Sequence, residues 1–103
     1  MSVTVQPTAA VELADLLADI RPRSPRGADA VEQAVADTFD LLDANPLIGT
    51  AYPSTNPQLS GVRYKLVRGY PQFVAIYRPD GPDVVIMHVV RGRRNIASIL
   101  GDD

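Results

Sequence analysis

Residues 62–91 read VRYKLVRGYPQFVAIYRPDGPDVVIMHVVR. Three apolar, β-branched or aromatic runs, 62–67, 73–78 and 84–91, are separated by two clusters of turn formers. These are Arg68-Gly69-Tyr70-Pro71 and Pro79-Asp80-Gly81-Pro82-Asp83. Runs of this length and composition predict strands, and turns this short join them as an antiparallel meander. The last run is apolar at successive positions, which places it in the middle of a sheet.

Upstream, the hydrophobic period changes. Leu13, Leu16, Leu17 and Ile20 recur at helical spacing, with Glu12, Asp15 and Asp19 opposite, and predict a helix over about 8–20 with Thr8 as N-cap. Ala28, Val31, Val35, Thr38, Phe39 and Leu42 form the stripe of a second helix over about 26–44. Ser24 is its expected cap, and Asn45-Pro46 its stop, because a residue before proline avoids helical geometry. Val3 and Val5 mark a short strand over 2–6, and the breaker-rich segments 21–27 and 45–61 are connections. The order β-α-α-β-β-β predicts an α+β fold, a helical hairpin packed on one face of a mainly antiparallel four-stranded sheet. The other face is expected to meet solvent or a partner. At 103 residues the chain is expected to form one domain over 1–103.

The absence of cysteine excludes disulfides and thiolate metal sites, and a single histidine leaves no zinc site to build. No cofactor is expected, since no phosphate loop, dinucleotide fingerprint or nucleophile elbow occurs. No apolar run is long enough for a membrane span, and the N-terminus lacks a signal pattern, so the cytoplasm is the expected compartment. The net charge of −2 conceals an asymmetry. Residues 1–50 hold eight acidic against three basic side chains, and residues 61–100 hold seven basic against two acidic. The positive half points to an anionic partner.

Arg63 and Lys65 alternate in the first meander strand and share a sheet face, opposite Val62, Tyr64 and Leu66. Because helices need an apolar face, both are expected on the face away from the helices. Arg91, Arg93 and Arg94, which end the last strand, are expected to converge there, with Arg23 in the inter-helix link outside the patch. Guanidinium groups so gathered suit phosphates or carboxylates; the alternative is a solvated strand face. His88 is expected to be a packed strand residue, and Tyr64 and Tyr77 to pack with hydroxyls at the sheet rim.

Four segments are similar, in order and spacing, to the RelE/ParE toxins of type II toxin–antitoxin systems. They are ANPLIGTAY (44–52), LSGVRYKLV (59–67), FVAIYRPDG (73–81) and VVIMHVVRGRRNI (84–96). The resemblance implies a toxin with a cognate antitoxin, assembled as a heterotetramer or larger complex, with no membrane partner. In the RNA-cleaving branch, basic residues on the sheet hold the scissile phosphate, and Arg63, Lys65 and Arg94 match those positions. The departures are Val74 where that branch places a further arginine, Arg91 where the family often has histidine, and Asn95 for aspartate. The tail 95–100 holds no tyrosine or histidine for proton transfer. The chain therefore looks closer to the ParE branch, for which the resemblance implies DNA gyrase as target. The alternatives are a RelE-like nuclease acting on ribosome-bound mRNA, or a relic that binds only its antitoxin.

Overall fold

A computed structural model describes residues 2–102, without the side chain of Arg94. The order is β1 (Val3–Val5), α1 (Pro7–Ile20), α2 (Pro25–Ala44), β2 (Thr50–Ala51), β3 (Arg63–Val67), β4 (Tyr70–Asp80), β5 (Asp83–Arg91) and α3 (Ile96–Leu100). The predicted α+β class holds, with a mixed five-stranded sheet in place of four strands. Its order is β1-β5-β4-β3-β2, in which β1 runs parallel to β5 and every other pair is antiparallel. The added strand, β2, is two residues laid against Arg63 and Tyr64, too short to leave an alternation in the sequence.

The helices start and stop for local reasons. α1 begins at Pro7 itself, not after a Thr8 cap: proline in the first turn lacks only an N–H that would have no helical partner. Ser24 caps α2 as expected, its hydroxyl accepting the Gly27 N–H at 3.0 Å. In the β4–β5 hairpin, Asp80 pairs with Asp83 across Gly81-Pro82. Gly81 has φ +60°, and the negative φ fixed by Pro82 selects a turn needing positive φ only at its first position.

The helical hairpin covers one sheet face. Leu17, Val31, Val35 and Leu42 pack on Val67, Phe73, Tyr77, Val84, Ile86 and Val89 in two adjoining clusters. Ile86 and Val89 share that face despite their odd spacing, because β5 bulges by one residue at Met87.

The second face is not left open, contrary to expectation. Leu59, Val62, Val74, Ile76 and Ile96 form a third cluster there, with Tyr64, Leu66, Met87, Val90, Ile99 and Leu100 packed around it. α3 and the 3-10 turn at Pro57–Leu59 supply the cover. Strands apolar on both faces need apolar surface on both sides, and the tail provides it. The Tyr52 hydroxyl donates to Asp102 at 2.9 Å, fastening the end of the chain to the 52–62 loop. Among the described residues no helix is long and apolar enough to cross a membrane.

Candidate functional site

Strand register decides where the basic side chains go. Arg63 pairs with Tyr77 and Lys65 with Ala75, so both lie on the face of Tyr77, the helix face. The expectation that they point away from the helices is therefore inverted. Its premise was that only one sheet face is apolar, whereas Tyr64 and Leu66 point into the far cluster under α3. Arg63 is also committed. It donates to the carbonyls of Gly49 at 2.8 Å and Leu47 at 3.2 Å, clipping the chain that leaves α2. Lys65 is half-buried and makes no ion pair among the described residues.

Arg91 lies at the other end of the sheet. It pairs with Phe73, four positions along β4 from Tyr77, which separates it from Arg63 by about 13 Å along the strand. Its guanidinium stacks over the Phe73 ring at 5.3 Å and donates to Asp19 of α1 at 2.9 Å. Arg23 donates to the same Asp19 oxygen at 3.3 Å. Arg93 follows in a 3-10 turn with its side chain exposed, and the Gly92 N–H, donating to Gln72 at 2.8 Å, ties that turn to β4. The side chain of Arg94 lies outside the described residues. The structure thus brings together Arg23 and Arg91 at Asp19, with Arg93 exposed two residues further along the chain, and leaves Arg63 and Lys65 apart. Arg23 belongs to the basic end instead of standing outside it.

Two open cavities meet at Arg91. One, of about 340 Å³, runs between α1 and β5 and is lined by Glu12, Asp15, Leu16, Asp19, Val89 and Val90. The other, of about 290 Å³, lies under the inter-helix link, lined by Ile20, Arg23, Val31, Tyr70 and Phe73 among others. Together they form a mostly apolar groove with ionic rims.

Along this groove the edge of β5 is open, since β1 covers only Val84 to Ile86. Glu12 of α1 fills part of the gap. Its carboxylate accepts the Val89 N–H at 3.2 Å and meets the His88 Nδ1 at 3.1 Å. By helical spacing Glu12 and Asp19 are expected opposite the apolar stripe of α1. Their seven-residue spacing is two turns, so they share one flank, and that flank faces β5. His88 is half-buried as expected and held by Glu12. Among the described residues no cluster of potential ligands for a metal ion occurs.

The model of the ParE toxin family of the type II toxin–antitoxin system parDE matches residues 3–96. Among solved structures, the chain is similar to a chain of the chromosomal ParDE TA system from P. aeruginosa, with a TM-score of 0.70. The match has 24% sequence identity and covers 88% of this chain and 95% of that one, a likeness of fold. No curated protein matches the chain.

Proposed function

The chain belongs to the ParE toxin family of type II toxin–antitoxin systems, and on that premise we propose that it arrests growth in the cytoplasm by poisoning DNA gyrase and is neutralised by a cognate antitoxin. One observation supports gyrase over RNA cleavage. The sole histidine is engaged by Glu12 at the α1–β5 edge, while Arg93 projects from the following turn. A nuclease of this architecture needs a proton-transfer group beside its phosphate-binding cations. Around Arg93 the neighbours in sequence are Gly92, Arg94, Asn95 and Ile96, none of which titrates near neutrality. Guanidinium groups at the basic end serve instead as a charged contact surface.

In this reading Arg91, Arg93 and Arg94 contact the target, Lys65 lies behind them, and Arg63 contributes through the loop it clips. The groove that meets at Arg91 receives an antitoxin segment. Its apolar lining takes alternate side chains, and Arg23 and Arg91 meet the segment's acids. A segment disordered until it binds is suited to wrapping such a surface.

The test is a pair of assays with purified chain. Gyrase supercoiling falls, or cleaved DNA is trapped, while mRNA in a translating extract stays intact. Codon-specific cuts in that extract, with supercoiling unaffected, overturn the reading. Normal growth on expression of the chain alone points to a relic.

A further inference from the structure

Residues 46–49, which lead from α2 into β2, are held from three sides. The buried Tyr77 hydroxyl donates to the Pro46 carbonyl at 2.8 Å and accepts the Gly49 N–H at 2.8 Å. Arg63 donates to the Leu47 and Gly49 carbonyls. Gly49 presses so close to Tyr77 that a Cβ there would overlap the hydroxyl oxygen. What this support presents is Leu47, 68% exposed, and Ile48, 46% exposed. The other large apolar side chains exposed among the described residues, Val5 and Val11, stand singly.

Scattered exposed apolar residues are ordinary. Two neighbours on a loop fixed by a buried hydroxyl and an arginine clip are different, because a loop already ordered loses little entropy on binding. We propose that Leu47 and Ile48 are the pair by which the chain seats in an apolar, basic-rimmed cleft of its target protein.

The rim charge follows from α2. Asp43 stands in its last turn and Asp40 just before it, and that turn holds no basic residue. The negative end of the helix dipole disfavours carboxylates at this position. One Asp43 oxygen is buried without a hydrogen-bond partner. Asp40, exposed near that end, gains from a cation supplied from outside. A second copy is not the occupant. It brings the same acids, which meet their own kind across a two-fold contact. An acidic antitoxin segment meets the same carboxylates and is repelled here.

This inference rests on the toxin reading, and the experiment separates the two. Wild-type chain and Leu47→Ser/Ile48→Ser are each expressed alone, and colony-forming units are counted. Each is also co-expressed with the neighbouring antitoxin gene and passed over size exclusion. The variant is expected to restore viability roughly tenfold or more, as loss of a central interface contact does. Its melting and its co-elution with the antitoxin are expected to be unchanged. A variant as lethal as the wild type overturns the proposal. So does loss of antitoxin co-elution, which assigns the loop to the antitoxin, or a wild-type dimer that the variant dissolves. A wild-type chain that leaves growth untouched removes the target and the proposal together. Growth arrest without inhibition of supercoiling removes only the gyrase reading, and the viability comparison still decides the loop.

Discussion

Tyr77 shows how one residue links the core to the surface. It is fully buried, and burial, the largest influence, pushes its hydroxyl pKa above the ordinary 10.0 despite the Gly49 N–H and Arg63, which pull it down. The native state therefore holds this proton longer than the unfolded chain. The associated stability is intact below about pH 10 and is lost as pH rises through that value toward the native pKa. Tyr77→Phe is expected to behave oppositely in two respects. At neutral pH it strands the Pro46 carbonyl and the Gly49 N–H and costs about 1–3 kcal/mol. Between about pH 9 and 11 it declines less steeply than the wild type. Urea unfolding at several pH values checks both, and parallel declines for the two proteins would refute the second. Gly49→Ala acts at the same contact from the other side. Its Cβ would meet the Tyr77 ring and, at 2.8 Å, the Tyr64 carbonyl, so the variant is expected to be destabilised by about 1–3 kcal/mol in the same titration. Neither role is legible in the sequence. Tyr77 reads as a strand tyrosine with its hydroxyl at the rim, and only the β3–β4 register brings that hydroxyl under the loop.

Elements were legible where a period is sustained and obscure where it is short. Both long helices and the three meander strands follow from spacing alone. β2 and α3 do not, being two and five residues long. The consequence of missing α3 reaches beyond the tail, because one covered face implies that Arg63 and Lys65 point away from the helices. With two covered faces the alternation of β3 is ambiguous, and pairing with Tyr77 and Ala75 resolves it. The structure makes α3 a structural cover. Ile96, 4% exposed, is packed in the far cluster, so Ile96→Ala is expected to cost about 2–5 kcal/mol. The variant is also expected to bind more of an apolar dye than the wild type. Unchanged melting would mean that the tail lies loosely on the sheet and that the far face is available to partners.

At the scale of the molecule, charge asymmetry along the sequence becomes asymmetry between the two ends of the sheet. Asp40, Asp43 and the apolar pair lie at one end, and Arg23, Arg91 and Arg93 at the other. The sequence shows the excess of positive charge but not its division, since Arg63 and Arg91 are both simply basic strand residues until the register separates them. The division makes a comparison of arginines informative. Arg91 is about half exposed, and its pairing with Asp19 is a surface ion pair worth less than about 1 kcal/mol. Arg91→Gln/Arg93→Gln is therefore expected to stay folded, with melting shifted by little, while growth inhibition falls roughly tenfold or more if this end meets the target. Thr55→Glu/Ser60→Glu changes net charge equally at exposed loop positions and should leave inhibition intact. Arg23→Glu is unsuitable as a control, because Arg23 shares Asp19 with Arg91. Arg63→Glu is expected to fail in a different way. It places a carboxylate against two carbonyl oxygens and releases the 46–49 loop, lowering melting and inhibition together. If the Arg91/Arg93 variant melts like the wild type and remains fully inhibitory, the basic end is a solvated surface. Target contact would then rest on the Leu47–Ile48 end alone.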